Sequence, residues 1–166
     1  MEITLEEGSL ETRPIFRNLM QLYQYDVSEY DDALPDDEGR FPYPLLERYW
    51  IPEGIGAEGR IHLLVRVDGR PAGFVLINTI GKGRPDVDHH MAEFFIMRRW
   101  RRQGVGRTVA TQVFRRYPGR WEVRQEAGNL PAQRFWRSVI GGFTGGRFEE
   151  VQYPDWDGPV QVFDAT

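Results

Sequence analysis

The sequence predicts a mixed α/β fold, and two observations carry that prediction. Asp68-Gly69 separates two β-rich runs, 61–67 and 72–80, and this dipeptide favours a tight hairpin between antiparallel strands. Segment 87–125 then reads as strand, helix and strand, a unit whose two strands pair in parallel through a crossover. Antiparallel and parallel pairs in one short chain indicate a mixed sheet.

The N-terminal part of the chain predicts one strand and two helices before the hairpin. Residues 3–6 alternate apolar and polar side chains, which is typical of a short strand. Apolar residues then recur at helical spacing from Ile15 to Tyr23, behind Pro14, which suits a first helical turn. The acidic stretch from Asp26 to Gly39 predicts a loop. Segment 43–50 predicts a short helix, ended by Pro52 and a glycine-rich run.

The C-terminal part predicts two more helices among four strands. A loop over 81–86 leads to a strand at 87–97, and a helix follows from Val105 to near Tyr117. Further strands are predicted at 121–125, 148–153 and 160–163. A helix at 131–139 follows Asn129 as its cap, and 141–146 predicts a glycine-rich turn. The whole order therefore contains about seven strands and about four helices.

Bulk properties limit the function classes. The 166 residues predict one domain, 1–166, and a hydrophobic fraction of 40% predicts a folded core. There are no cysteines, the three histidines lack metal-site spacing, and no metal is expected. No apolar run reaches the ~20 residues of a membrane span, and a signal peptide is not recognisable. We therefore expect a soluble cytoplasmic protein, and the net charge of −4 argues against nucleic-acid binding.

The most informative segment is the arginine-rich junction after the strand at 87–97. Five arginines and no acid lie between Arg98 and Arg107, and Gly104 and Gly106 precede helical periodicity. A glycine-bearing turn that enters a helix presents unpaired backbone N–H groups, and the helix dipole favours negative charge there. The junction therefore predicts an anion site, and a phosphorylated cofactor is its expected ligand.

Two sequence motifs resemble the GNAT superfamily of acyl-CoA N-acyltransferases. The run Arg101-Arg102-Gln103-Gly104-Val105-Gly106 matches the family pattern Gln/Arg-x-x-Gly-x-Gly/Ala, and 129–135 matches Asn-x-x-Ala-x-x-Phe. Gly142-Phe143 corresponds to the family's Gly-Phe turn. A dinucleotide fingerprint fits worse because Val109 stands where a third glycine is needed, and the Gly-Lys-Ser/Thr of a P-loop is absent.

The resemblance implies acetyl-CoA as co-substrate, bound at this junction. Amides of 102–107 would hold the pyrophosphate, and the backbone of Ile96 and Arg98 would pair with pantetheine between strands that splay at a bulge. Arg101, Arg102 and Arg107 would add charge, or else form a solvated basic face. The full set implied for the cofactor is Ile96, Met97, Arg98, Arg101, Arg102, Gln103, Gly104, Val105, Gly106, Arg107, Thr108, Asn129, Phe135 and Trp136.

Glu93 is the implied catalytic base, because it lies in an otherwise apolar strand and matches a glutamate that several family members use. Burial would raise its pKa toward neutrality, which suits removal of a proton from an ammonium. A structural carboxylate is the alternative. A backbone N–H near Ile96 or Met97 would stabilise the oxyanion.

Trp136 departs from the family, which commonly has a tyrosine acid at this position. Indole cannot release a proton at useful pH. Tyr117 and Tyr153 could serve as the acid in its place, but their spacing from the motifs supports neither. The thiolate can also leave without an acid. Asn129 has two candidate roles: it could hydrogen-bond the pantetheine arm, and it could cap the helix that follows.

The resemblance therefore implies direct acetyl transfer to a primary amine of an unidentified small molecule. Aromatic residues between 23 and 50, with the acidic run, suggest a cleft for a cation, although a solvated acidic loop is the alternative. The second hypothesis is an acyl-CoA-binding protein without catalytic activity. The third is a nucleic-acid-binding module, which the net negative charge disfavours. Dimers are common in the family, so a homodimer is one allowed state.

Overall fold

The computed structural model describes residues 1–80 and 84–166. Its central element is a seven-stranded sheet with strand order β1-β2-β3-β4-β5-β7-β6. The strands span Ile3–Glu7 (β1), Ile61–Val67 (β2), Arg70–Asn78 (β3), His89–Ile96 (β4), Gly119–Arg124 (β5), Glu149–Val151 (β6) and Val160–Ala165 (β7). Among the described strands β4 and β5 are the one pair that runs parallel, so the predicted mixed, mostly antiparallel sheet is confirmed. Part of the loop predicted at 81–86, residues 81–83, lies outside the described residues.

The helices cover both faces of the sheet. Among the described residues the α-helices are Arg13–Asp31 (α1), Pro52–Gly56 (α2), Val105–Arg116 (α3) and Leu130–Thr144 (α4), with 3₁₀ turns at Pro44–Trp50 and Arg98–Trp100. No helix in these described ranges combines the length and apolar character needed to cross a membrane.

Alternation along the strands separates two cores. Leu63 belongs to a core with α3 and α4, whereas the next residue, Leu64, belongs to a core with α1 and the 44–50 turn. Successive strand side chains point to opposite faces, so both faces of the sheet are covered. The hairpin prediction is confirmed, because Asp68 (φ 50°) and Gly69 (φ 75°) both adopt the positive φ of a tight reversed turn.

Three helix boundaries differ from the sequence prediction. Residues 26–31, predicted as loop, continue α1. These last turns of α1 line a cleft that also contains residues of α3 and α4. The helical turn at 44–50 ends before Pro52 as predicted, but Pro52 also begins α2, a short helix that was not predicted, as proline at a first helical position can. The predicted turn at 141–146 is mostly helical: α4 runs through Gly142 and ends at Thr144, with Gly145 (φ 64°) as its left-handed cap.

The strand lengths also differ slightly from the prediction. The predicted strand at 87–97 is shorter, and the strand at 148–153 shrinks to three residues.

Candidate functional site

The turn between β4 and α3 presents a series of backbone N–H groups. Arg102 (φ 58°) and Gly104 (φ 83°) adopt left-handed conformations that bend the chain into α3. Within the described ranges, the first amide of this helix that donates to a carbonyl is that of Thr108, which bonds Gly104 O at 3.0 Å. The preceding amides of the first helical turn are therefore available to an anion.

Gly106 allows α4 to approach this turn. A Cβ atom at residue 106 would lie 3.1 Å from the Phe135 ring and 3.8 Å from Ile96. Since 3.1 Å is tighter than ordinary packing, glycine is favoured here for contact with α4. A Cβ atom at residue 104 would meet no atom within 4 Å. Glycine is therefore favoured there only by the left-handed backbone conformation.

The only parallel pair in the described sheet separates at this point. β4 and β5 pair at three positions, from His89↔Trp121 to Met91↔Val123, and residues 92–96 have no partner on β5. The register of β4 against β3 also shifts, from Leu76↔Glu93 to Ile77↔Met91, so Ala92 is an extra residue. A bulge of this kind bends a strand. It lies where the paired strands part.

The parting strands leave polar backbone groups of β4 unpaired with β5. Met97 N donates to Ala72 O on the β3 side at 2.8 Å. Because hydrogen bonding alternates along an antiparallel pair, the N–H groups of Ile96 and Phe94 face the opening toward β5. The Ile96 carbonyl accepts a 2.7 Å bond from Arg101 Nε. Of the two predicted oxyanion donors, Met97 is thus engaged within the sheet, whereas Ile96 faces the opening.

A cleft of about 580 Å³ follows this opening between α1, α3 and α4. Ten of the fourteen residues predicted to bind the cofactor line it: Ile96, Arg98, Arg101, Arg102, Gly104, Gly106, Arg107, Asn129, Phe135 and Trp136. We refer to it as the cofactor-side cleft. The remaining four, Met97, Gln103, Val105 and Thr108, do not line it.

Each of these four has another contact or position. Val105 is fully buried in the core, and Met97 packs against the α1 side of the sheet. The Gln103 amide bonds Arg99 O at 2.6 Å, and Thr108 is exposed.

Asp26 is a residue of this cleft that the sequence reasoning missed. Its carboxylate accepts from Arg98 Nη2 at 2.6 Å and also bonds Arg101. Although burial opposes the effect, Arg101 and Arg98 hold the pKa of Asp26 below its usual range. Arg101, which was predicted to add charge at the phosphates, and Arg98, which was predicted to bind pantetheine through its backbone, therefore both have side chains paired with α1. The acidic run of the sequence contains Asp26, but only the fold shows which of its members reaches across.

Glu93 lies on the other side of the opening and is held by two tyrosines. Tyr23 OH donates to Oε2, and Tyr43 OH donates to Oε1 at 2.9 Å. Burial raises the pKa of Glu93 to about 7, although the two tyrosine hydrogen bonds favour the charged form and oppose the shift. Burial and the Glu93 charge raise the pKa of both tyrosines. They therefore remain donors, and Glu93 changes protonation near neutral pH.

A second cleft, of about 410 Å³, contains Glu93. We refer to it as the acceptor-side cleft; its polar lining includes Tyr43, Arg60, Arg124 and Glu126. The two clefts share Tyr23, Phe94, Asn129 and Trp136 among their lining residues. Two separate molecules can therefore approach one another along β4.

Trp136 and Asn129 have defined structural roles. Trp136 is only 5% exposed, and its ring packs against Phe94 (4.9 Å between centroids) and Phe135 (5.0 Å). Asn129 Oδ1 accepts from Ala132 N at 3.1 Å, which is the predicted helix cap. Both residues line the two clefts.

The suggested substitutes for an acid lie elsewhere. Tyr153 donates to Glu122 at 2.9 Å, and neither it nor Tyr117 lines either cleft. Of the acidic run 26–38, Asp26 and Glu29 line the cofactor-side cleft and none of the acids lines the acceptor-side cleft. Of the aromatic group, Tyr23 and Tyr43 bond Glu93. No group of three His, Asp or Glu side chains in the described part of the chain could hold a metal ion.

Three solved acetyltransferase structures are similar to this chain in fold. A GNAT-family acetyltransferase from Staphylococcus aureus Mu50 superposes with a TM-score of 0.66 and 13% identity, covering 99% of this chain and all of that one. Aminoglycoside acetyltransferase AAC(6')-Ib in complex with coenzyme A gives 0.65 and 15%, covering 98% and 95%. The ribosomal-protein-S18-alanine N-acetyltransferase of Escherichia coli gives 0.62 and 11%, covering 99% and 95%. At such identities the likeness shows the fold.

Family membership comes from the sequence match. No curated protein sequence matches this chain. The Acetyltransferase (GNAT) family pattern matches residues 19–141, which include β4, the arginine-rich turn, α3, β5 and most of α4. The chain therefore belongs to the acetyltransferase (GNAT) family.

Proposed function

We propose that this protein is an N-acetyltransferase that transfers an acetyl group from acetyl-CoA directly to the primary amine of a small molecule. One observation carries the proposal: a cleft with unpaired helix-terminal amides and a cleft that holds Glu93 meet at the separation of β4 from β5. The relatives whose structures contain coenzyme A support an acyl-CoA as the donor.

The residues of the cofactor-side cleft fit acetyl-CoA in charge and shape. The amides at the start of α3 would hold the pyrophosphate, and Arg102 and Arg107 add positive charge at the same end. The free edge of β4 at Phe94 and Ile96 would pair with the pantetheine amides. When bound, acetyl-CoA supplies a thioester whose acyl carbon can accept an amine.

The chain's own residues would carry the remaining chemistry. Glu93 Oε accepts the proton of the attacking amine, and Tyr23 and Tyr43 orient this carboxylate. Of the two outward N–H groups, at Phe94 and Ile96, the one that does not bond pantetheine stabilises negative charge on the acyl oxygen. Buried Trp136 and half-buried Phe135 exclude water at the junction and supply no proton. The thiolate leaves without a dedicated acid, since a thiol pKa of ~8.5 makes it a tolerable leaving group.

Release of free thiol from acetyl-CoA with a panel of amines tests the proposal. We expect amine-dependent release that falls by about 10²-fold or more in Glu93→Gln. Mass spectrometry should show the amine heavier by one acetyl group. Tyr25→Phe is a matched control, because Tyr25 is 65% exposed on the same helix as Tyr23.

The second candidate is an acyl-CoA-binding protein without catalysis, favoured by tryptophan at position 136. Calorimetric binding of CoA separates the two functions. Tight binding with no thiol release for any amine would support the binding protein and contradict the transferase.

A further inference from the structure

His90 lies in the acceptor-side cleft, on the same face of β4 as Glu93. The two residues are three positions apart, a spacing that places side chains on opposite faces of a regular strand. The bulge at Ala92 changes this, because Glu93 pairs with Leu76 whereas His90 pairs with Asn78, two residues further along β3. The side chains of His90 and Glu93 therefore leave one face at positions ~7 Å apart along the strand.

Glu122 holds the ring of His90 from the neighbouring strand. His90 Nδ1 lies 3.0 Å from Glu122 Oε1, and the Glu122 side chain has no exposed surface. Tyr153 OH donates to the other carboxylate oxygen at 2.9 Å. Although burial opposes the effect, His90, Tyr153 and Arg124 hold the pKa of Glu122 below its usual range. An ionised carboxylate only accepts hydrogen bonds, so the neutral ring carries its proton on Nδ1 and keeps a lone pair on Nε2.

The Nε2 edge of the His90 ring is open to the cleft. Nδ1 has no accessible surface, although the side chain as a whole is 15% exposed. Nε2 bonds no group within residues 1–80 and 84–166, so it is available to a ligand. The ionisable groups that share the cleft with this ring are Tyr23, Tyr43, Arg60, Glu93, Arg124 and Glu126. Glu93 and His90 thus both face the space in which the proposed amine would lie.

The adjacent His89 provides a contrast. It points to the other face of the sheet, where its ring packs against Trp121 at 4.9 Å between centroids, and its Nε2 lies 3.1 Å from Pro118 O. His89 lines neither cleft. One of the two histidines therefore belongs to the packing of the sheet, whereas a buried carboxylate holds the other at the acceptor-side cleft.

Acetylation of an ammonium group requires two protons to leave one nitrogen. The ammonium has three N–H bonds and the amide product has one, whereas the Glu93 carboxylate takes up one proton in a turnover. A nitrogen bonded to both Glu93 and His90 needs two hydrogen bonds of about 2.8 Å, hence acceptor atoms roughly 5 to 6 Å apart. Side chains that leave one strand face ~7 Å apart can meet this distance.

We propose that His90, held by Glu122, is the second proton acceptor for the amine that receives the acetyl group. This role rests on the proposed function, because it adds a step to that reaction. Glu93 takes the first proton, the nitrogen lone pair forms the C–N bond, and His90 Nε2 takes the second proton. The C–S bond then breaks and the thiolate gains a proton from water. Glu93 and His90 return their two protons to water, so each turnover releases one proton.

The two adjacent histidines allow a matched test. Free-thiol release is measured with saturating acetyl-CoA and an amine that the wild type acetylates. In His90→Gln, kcat should fall by about tenfold or more, the effect of losing a positioned base, while the KM of the amine changes little. His89→Gln makes the same change on the other face of the sheet and should keep the wild-type kcat. A wild-type kcat in His90→Gln would overturn the role.

Rescue by imidazole separates proton transfer from packing. His90→Ala leaves room in the cleft, and added imidazole should raise its kcat at least severalfold, because free imidazole can take the second proton. The rescue should follow the neutral fraction of the added imidazole as the pH is varied. The wild type and His89→Ala should not respond. A folded His90→Ala protein that has lost activity and is not rescued would contradict proton transfer by His90.

Glu122→Gln tests how the His90 ring is held. An amide can donate to Nδ1 and so stabilise the other tautomer, and kcat should therefore fall at least severalfold. Added to His90→Gln, the same change should cause no further loss, since its effect passes through His90. Two losses that multiply fully in the double variant would refute the pairing of Glu122 with His90.

Turnover by the wild type separates failure of this role from failure of the proposed function. If the wild type acetylates no amine, the transferase proposal fails and the role of His90 fails with it. If the wild type acetylates an amine in a reaction that depends on Glu93 but not on His90, the transferase stands and this role alone is overturned.

Discussion

A Cβ atom at Gly106 would lie 3.1 Å from the ring of Phe135, so the chain's two sequence motifs meet at one contact. Gly106 belongs to the first turn of α3, and Phe135 belongs to α4. The ring of Phe135 in turn packs against Phe94 of β4, at 5.8 Å between centroids. The glycine therefore sets the distance between the unpaired amides at the start of α3 and the wall of the cofactor-side cleft.

We predict that Gly106→Ala lowers the free energy of unfolding by about 1 kcal/mol, because overpacking against Phe135 outweighs the gain in helix propensity. CoA affinity should fall in the same variant, since α4 must move away from the amides. Chemical denaturation and calorimetry measure the two effects.

The Phe135→Leu background tests the cause of this effect. There, Gly106→Ala should be neutral or stabilising, giving a coupling of about 1 kcal/mol. Gly128→Ala is the control, because a Cβ at Gly128 meets nothing within 4 Å. The same destabilisation in both backgrounds would show that the contact with Phe135 is not its cause.

The Tyr43 hydroxyl should control the pH at which Glu93 becomes an active base. A hydrogen bond to the carboxylate favours its charged form, so Tyr43→Phe raises the pKa of Glu93 further above about 7. As a base, Glu93 must be unprotonated, and kcat/KM should therefore rise with pH through that value. The acidic limb should move to higher pH in Tyr43→Phe and stay in place in Tyr25→Phe. If the acidic limb of the kcat/KM profile does not move in Tyr43→Phe, the group that titrates there is not Glu93.

Glu93 should also make folding stability depend on pH. Its folded pKa of about 7 lies above the ordinary 4.5, so the folded protein binds more protons than the unfolded chain between these values. Stability is then lost as pH rises through 7. Relative to Glu93→Gln, the wild type should lose about 2 to 3 kcal/mol between pH 5 and pH 8. The unfolding free energies of the two proteins are measured in urea across this pH range. If both change with pH in the same way, the raised pKa of Glu93 is contradicted.

Asp26 should weaken CoA binding electrostatically. It pairs with Arg98 and Arg101 in the cofactor-side cleft, so Asp26→Asn leaves more positive charge for the phosphates. We expect the Kd of CoA to fall about threefold to tenfold at low salt, with the gain reduced at high salt by screening. Asp36→Asn makes the same charge change at an exposed site and should have no such effect. Weaker binding in Asp26→Asn would mean that Asp26 instead positions the arginines.

Local sequence patterns predicted the parts of the fold that local forces decide. The Asp68-Gly69 turn, the cap at Asn129 and the glycines of the arginine-rich turn have backbone requirements that few other residues meet. The antiparallel hairpin and the parallel pair followed from the same elements, because a strand-helix-strand unit imposes a parallel pair. The order of the other strands in the sheet came from the structure. Helix ends were predicted less well: residues 26–31 and 141–144 are helical because tertiary contacts outweigh their composition.

The sequence by itself determined the mixed sheet, the family and the glycine-bearing turn before α3, since each depends on motifs of residues close together in the chain. The tertiary structure decided which side chains share a cleft. Tyr23 and Tyr43 meet Glu93 across 70 and 50 residues, Asp26 reaches Arg101 across 75, and Arg60 joins Arg124 in the acceptor-side cleft. These contacts between distant residues depend on strand register and on the packing of α1 against the sheet. No periodicity encodes them, because the pKa of Glu93 and the charge of a cleft are properties of groups far apart in sequence.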